Sequence, residues 1–145
     1  KNGKSIDTSM GFTPLSGVIM STRCGDIDPG IILELAKTKN INKLLNHKSG
    51  LLQISKVSGD MRVLLKSKDP KSKLAINMFC YQVAKYIGSY IAAMKGVDAI
   101  IFTGGIGENS STIRNKIMSY FNKIRFLVIP TNEALMIAQE VIASQ

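Results

Sequence analysis

The chain has 145 residues, 45% of them hydrophobic, and 19 Lys+Arg against 10 Asp+Glu for a net charge of +9; about one domain with a real core is possible, which excludes disorder as the overall state. The longest apolar stretch, Ile87–Met94, is far short of the ~20 residues of a membrane span, and no charged-then-apolar leader opens the sequence. Cys24 and Cys80 form no CxxC pair and His47 is the single histidine, so a disulfide framework, an all-protein zinc site, Ser/His/Asp catalysis and a His-rich metal centre are all disfavoured, and the expectation is a cytoplasmic protein with reduced thiols.

The first third is turn-rich, with short extended segments at Lys4–Asp7, Gly11–Gly17 and Val18–Met20. Asp28-Pro29 then opens a helix, because Asp28 can accept from free N–H groups while Pro29 has no N–H to leave unpaired; the helix is predicted to run to about Lys37. A second short helix carries Ile41, Leu44 and Leu45 and is expected to stop at Gly50. Lys66–Lys73 (KSKDPKSK) reads as a solvated loop. From Leu74 to Met94 apolar residues recur at intervals of three and four, one face of a long helix ended by Gly96. Asp98–Phe102 (DAIIF) is a buried-type strand, Thr103–Gly107 (TGGIG) a flexible turn, and Glu108–Tyr120 a helix with Ile113, Ile117 and Met118 on one side. Arg125–Ile129 is a second strand, broken by Pro130, after which Thr131 or Asn132 caps a helix carrying Leu135, Met136, Ala138, Val141 and Ile142. Apolar strands alternating with helices imply an α/β fold with a mainly parallel, helix-covered sheet.

An excess of positive charge favours anionic partners: nucleic acid, a membrane surface or nucleotide phosphates. No basic helix with interleaved aromatics is present, so neither nucleic acid nor a membrane is the expected partner. Thr103–Asn109 (TGGIGEN) has the parts of a phosphate site, since glycines let the backbone approach a ligand and a following helix offers free N–H groups. Its spacing matches neither GxGxxG nor GxxxxGK[ST], and a tight strand-to-helix turn explains it equally well. Arg23, in the polar segment STRCGDIDP with Asp26, has the planar fork that suits phosphate oxygens, although a surface ion pair is the commoner role. Asp60 and Arg62 in SGDMR, and Glu133 after the second strand, read either as site residues or as charges placed at loop and helix starts.

Seven motifs occur in one order: DTSMGFTPLSG (Asp7–Gly17), TRCGDIDP (Thr22–Pro29), KSGLL (Lys48–Leu52), SGDMR (Ser58–Arg62), AKYIGSYIAAM (Ala84–Met94), DAIIFTGGIGENSSTIR (Asp98–Arg114) and VIPTNEALMIAQ (Val128–Gln139). In this the chain closely resembles the C-terminal part of the acetate kinase family, over almost its whole length, with propionate kinase the nearest relative of the pattern. The resemblance implies a ribonuclease-H-like α/β lobe of the acetate and sugar kinase, heat-shock chaperone ATPase and actin superfamily. Residues 1–145 would then form a partial C-terminal nucleotide-binding and dimerisation domain of a homodimer. It implies reversible phosphoryl transfer from ATP to acetate, giving acetyl phosphate and ADP, with Mg²⁺, or Mn²⁺ in its place. Position by position, Arg23 matches a transition-state stabiliser, and Asp60, Met61 and Arg62 a segment contacting adenosine. Gly105, Ile106, Gly107, Glu108 and Asn109 match the nucleotide loop, and Glu133 a metal-associated carboxylate. Phosphoryl transfer asks a protein chiefly for positioning and charge, which these parts supply.

The sequence departs from the family pattern at Ser21, where Gly is usual before Thr-Arg, and at Val63, where Asp is usual after SGDMR. The family's active-site Asp, catalytic histidines, substrate-pocket Arg and HxGNG motif have no match here, so the chain alone is expected to be inactive, an isolated nucleotide-binding or dimerisation module. Family residues are also expected to be missing at two seams, between Lys37 and Asn40 and between Tyr120 and Arg125. At both, the flanking motifs continue while the connection is short.

Overall fold

The computed structural model describes residues 1–37 and 40–144, which divide into two compact units, Lys1–Gly96 and Val97–Gln145. The first seam expected from the sequence falls on residues 38 and 39 and lies outside the described residues.

In the first unit, Lys1–Asp28 has no regular element and is organised by turns. Helix α1 (Pro29–Ala36) starts as its sequence dictates: Asp28 accepts from Gly30 N at 2.6 Å and proline occupies the first turn. Helix α2 (Ile41–His47) is capped by Asn40. Gly50 does not stop α2. It opens α3 (Gly50–Ser55) with φ +63°, a left-handed conformation reached at little cost only without a Cβ. Helix α4 (Met61–Lys66) follows, capped by Asp60. The lysine-rich stretch is not a loop throughout. Asp69 accepts from Lys71 N at 2.7 Å and Pro70 begins α5 (Pro70–Met94), repeating the Asp-Pro start of α1. Lys95 takes the left-handed cap at the end of α5, and Gly96 N donates back to Ile91 O at 2.9 Å.

Helices α3 and α4 pack on α5, burying Leu51, Met61, Leu64, Ala75, Ile76, Cys80 and Ala84. Gln82 on α5 accepts from Ile19 N at 2.9 Å, tying the irregular N-terminal segment to the long helix. The buried Ser55 shapes the turn between α3 and α4: its hydroxyl donates to Ser58 O and accepts from Val57 N and Ser58 N.

In the second unit, β1 (Ile100–Phe102) and β2 (Phe126–Val128) pair in parallel, Ile101 opposite Leu127, as alternating strands and helices require. The strands are less buried than their composition suggests: Phe102 is buried, whereas Ile101, Phe126 and Val128 are exposed. Phe102 and Phe126 meet edge to face at 5.8 Å. The glycine run is not a flexible turn. Gly104–Asn109 is a short helix, α6, separated by the extended Ser110 from α7 (Ser111–Met118). Ile113 and Ile117 are the buried face of α7. A turn with Lys123 in the left-handed region joins α7 to β2, at the position of the second expected seam. Asn132 caps α8 (Glu133–Ala143), whose apolar residues are all exposed.

Candidate functional site

The candidate residues fall in both units. Arg23, Asp60, Met61 and Arg62 belong to the first, Gly105–Asn109 and Glu133 to the second.

Arg23 sits on a turn closed by Met20 N donating to Arg23 O at 3.2 Å. The first turn of a helix has N–H groups without intrahelical partners, and the Ser49 side chain does not cap α3. The arginine turn takes that role. Ser49, Leu51 and Leu52 N donate to Thr22, Met20 and Ser21 O at 3.0, 2.9 and 3.0 Å. Thr22 Oγ1 donates to Asn46 O at 2.8 Å and Cys24 N to Leu45 O at 3.0 Å, binding the turn to α2. Contact is close enough to require glycine: a Cβ on Gly50 would overlap Met20 O and lie 2.7 Å from Arg23 O, and one on Gly59 would overlap Ser21 Oγ and lie 2.9 Å from Ser21 O. Arg23 is half-buried, and its guanidinium makes no ion pair among the described residues and has Nη1 3.8 Å from Met20 Sδ. A positive group is thus held on a fixed backbone with its fork uncommitted to any carboxylate. Burial pushes the neighbouring Cys24 thiol up, away from thiolate chemistry.

Asp26, beside this turn, was singled out in the sequence only as a polar neighbour of Arg23. Its carboxylate accepts from Gly17 N at 2.7 Å, from Ser16 Oγ at 3.1 Å and from the Tyr86 hydroxyl on α5. The Tyr86 hydrogen bond, foremost, holds Asp26 below the usual carboxylate range, and the same bond pushes Tyr86 up to about 12. No local signal in the sequence marks Tyr86 as its partner.

Asp60 has two tasks. It caps α4 through Arg62 N at 2.8 Å, and it pairs with the Arg62 guanidinium, Nη2 to Oδ2 at 2.5 Å, which brings its pKa to about 2. Met61 is buried, so its side chain belongs to the core and only its main chain can face a ligand. The Arg62 side chain is 86% exposed.

In the second unit, a Cβ at Gly104 or Gly105 would meet nothing within 4 Å, whereas Gly107 packs on Phe102. Open backbone is therefore offered at the start of α6, and Gly107 serves packing. Of the N–H groups expected to be free at the start of the following helix, that of Ile113 is taken, donating to Ser110 Oγ at the start of α7. Glu108 does not point outward as a loop charge. Its Oε1 accepts from Gly104 N at 2.8 Å, Thr131 N at 2.9 Å, Thr131 Oγ1 at 3.0 Å and Thr103 Oγ1 at 3.3 Å. The Thr131 N–H, foremost, holds its carboxyl below the usual range. Arg114 Nη1 donates to Gly107 O at 2.8 Å and Glu108 O at 2.9 Å, satisfying carbonyls at the other end of α6. In the sequence Thr131 reads only as an alternative cap of the last helix, a role that Asn132 takes, and Arg114 has no separate signal there.

Glu133 is exposed, at the start of α8, and its side chain makes no hydrogen bond or ion pair among the described residues. No group of three or more His, Cys, Asp or Glu is placed to hold a metal among the described residues. A lone carboxylate does not make an all-protein metal cage. It fits a hard cation that keeps its waters and brings phosphate oxygens with it. Among the described residues no helix is long and apolar enough to cross a membrane.

Solved structures place this architecture. The chain superimposes on acetate kinase from Porphyromonas gingivalis with TM-score 0.91 and 36% identity, covering 99% of this chain and 44% of that one. On a propionate kinase from Francisella tularensis the TM-score is 0.89 and the identity 40%, over 97% of this chain and 44% of that one. The fold is therefore the α/β fold of the acetate and propionate kinases, within the superfamily that includes sugar kinases, heat-shock chaperone ATPases and actin.

At the level of sequence, the Acetokinase family model matches residues 1–126. Acetate kinase of Carboxydothermus hydrogenoformans is 46% identical over 172 residues, and that of Caldicellulosiruptor saccharolyticus 47% over 175, each covering 97% of this chain. The chain belongs to the acetokinase family. It spans 43–44% of the length of these two relatives. Both alignments are longer than the 145-residue chain, so the relatives carry internal segments without a counterpart here.

Proposed function

We propose that this chain is a nucleotide-binding and dimerisation portion of an enzyme that transfers the γ-phosphoryl group of ATP reversibly to acetate, giving acetyl phosphate and ADP. Family membership supports the reaction class, and one observation carries the local reading: the Arg23 fork is held on a turn locked to α2 and α3, yet has no carboxylate partner among the described residues.

Acetate is already an anion near neutral pH, so its attack on the γ-phosphorus needs no base. One acetate oxygen forms the new P–O bond while the bridging oxygen departs with ADP, and negative charge spreads over the three remaining oxygens. Arg23 supplies a planar, permanently charged donor for those oxygens. Main-chain groups of Gly105–Asn109 would lie along the nucleotide phosphates, and Asp60–Arg62 beside the adenosine. Glu133 would be the protein ligand of the metal, with Mg²⁺ the cation best suited to a single carboxylate and Mn²⁺ a substitute. Bound there, the cation supplies positive charge for the phosphate oxygens. Exposed Leu135, Met136, Ile137, Val141 and Ile142 on α8 support further protein surface covering this helix in the assembled enzyme, a homodimer.

The test is acetyl phosphate formation from ATP and acetate, measured for the full-length gene product and for this chain alone. The full-length protein is expected to turn over and the isolated chain not to. Absence of acetyl phosphate with the full-length protein overturns the proposal. A second reading, propionate as the acceptor, has the 40% identity to a propionate kinase in its favour. A kcat/KM for propionate more than about tenfold above that for acetate would select it.

A further inference from the structure

We propose that Glu108 is a positioning residue rather than a nucleotide contact. Its carboxylate clasps the glycine helix α6 to the turn behind β2, fixing the open backbone of Gly104 and Gly105 relative to Glu133. The inference rests on the nucleotide and metal reading of those two segments.

Three observations carry it. First, α6 cannot hold itself: three of its six residues are glycine, each about 1 kcal/mol worse than alanine in a helix, and so short a helix is not stable alone. It is pinned at both ends, by Glu108 at its start and by Arg114 at its close. Second, Glu108 Oε1 gathers donors from two separate turns, Thr103–Gly104 after β1 and Thr131 after β2, 23 positions apart in sequence from Glu108. Both turns leave the C-terminal ends of parallel strands, where ligands of such sheets bind. Thr131 precedes Glu133 by two residues, so the clasp ties the glycine backbone to the main chain that leads into the carboxylate proposed for the metal. Third, a carboxylate beside nucleotide phosphates is a like-charge contact and opposes their binding. Turned inward onto four donors, the same charge organises the site instead of repelling its ligand.

The experiment combines amide hydrogen exchange and ADP titration on the full-length protein and its Glu108→Ala, Glu108→Gln and Thr131→Val variants. In Glu108→Ala, exchange at Gly104 and Thr131 N–H should accelerate about tenfold or more. Ile100 and Ile129 N–H, bonded to Arg125 O and Phe102 O beside the same sheet, should stay within about threefold. Glu108→Gln keeps an acceptor oxygen and should restore most of the protection. Thr131→Val should accelerate Gly104 about threefold while Ile129 N–H, bonded to Phe102 O, stays within about threefold, which separates transmission through Glu108 from transmission through the strand pairing, and it stays informative if Glu108→Ala fails to fold. The gain in ADP affinity on adding Mg²⁺ should shrink at least fivefold in Glu108→Ala, while affinity without Mg²⁺ changes less than threefold.

Equal loss of affinity with and without Mg²⁺ would make Glu108 a direct nucleotide contact and overturn the proposal. So would unchanged exchange at Gly104, or acceleration of all four amides together in the Gln and Val variants. Failure of the unaltered protein to bind ADP would instead overturn the nucleotide reading and the purpose given to the clasp. The exchange pattern would then still decide whether the clasp exists.

Discussion

Replacing Gly50 by alanine tests the claim that the start of α3 holds the arginine turn. Gly50 has φ +63°, and its Cβ would overlap Met20 O while lying 2.7 Å from Arg23 O and 3.0 Å from Arg23 N. The left-handed conformation costs an alanine about 1–2 kcal/mol. The overlap is with backbone, which cannot rotate aside, and forcing it apart adds about 1–3 kcal/mol. The expected loss is therefore about 2–5 kcal/mol, or roughly 8–20 °C in the melting temperature of the part containing α3 at about 4 °C per kcal/mol. Gly88, inside α5, provides the opposite case: a Cβ there meets nothing within 4 Å, so Gly88→Ala should stabilise the protein by about 0.5–1 kcal/mol through helix propensity. Denaturant unfolding of both variants gives the comparison. A Gly50→Ala variant within about 0.5 kcal/mol of the unaltered protein, or a Gly88→Ala variant equally destabilised, would refute the packing argument.

Ser21 and Gly59 should be coupled. Gly59→Ala is expected to cost about 1–3 kcal/mol, and about 1 kcal/mol less in a Ser21→Gly background, because that change removes the Oγ that the new Cβ overlaps; additive costs in the double-mutant cycle would show no contact. Tyr86→Phe should remove two pH dependences of stability. The Asp26 pKa is lowered on folding, so its contribution is present above the unfolded value near 4 and lost as pH falls through the folded value; Tyr86 is raised to about 12, so its contribution is present below about 10 and lost between about 10 and 12. The stability difference between the unaltered protein and Tyr86→Phe should therefore be greatest between those limits and narrow on both sides. A difference constant from pH 3 to 12 would count against the pair. In the full-length enzyme, Arg23→Ala should lower kcat about a thousandfold or more with ADP affinity nearly intact, as for a group acting mainly in the transition state. Loss of ADP affinity with kcat unchanged would make Arg23 a binding residue.

Much of the fold was legible where local chemistry suffices. Asp28-Pro29 specified the start of α1, the three-and-four spacing specified most of α5, and two apolar runs specified the parallel strands. Asp69-Pro70 has the same helix-start grammar as Asp28-Pro29, set among lysines whose composition is that of a solvated loop. Helices α3 and α4 have six residues each, less than two turns, so hydrophobic period had too little length to register. Gly50 looked like a stop because glycine is common at helix ends, whereas here its positive φ lets it begin a helix against another segment's backbone.

The glycine run departs from its sequence expectation for a related reason. Local propensity argues against a helix at GGIGEN, and what overrides it lies elsewhere: Thr131 beyond β2 and Arg114 on α7. In both units the partners of the main-chain donors account for the difference. The first N–H groups of α3 are taken by the carbonyls of Met20, Ser21 and Thr22, and Gly104 N by Glu108. An idealised helix start with every donor free for phosphate therefore does not describe either segment. In the first unit those donors fix the residue that carries the charge, Arg23. In the second, Glu108 engages Gly104 N while Arg114 engages Gly107 O and Glu108 O, so internal bonds hold both ends of the glycine helix. A short helix in this chain thus acts first on its own protein, and in each unit the candidate groups are the ones those internal bonds hold in place.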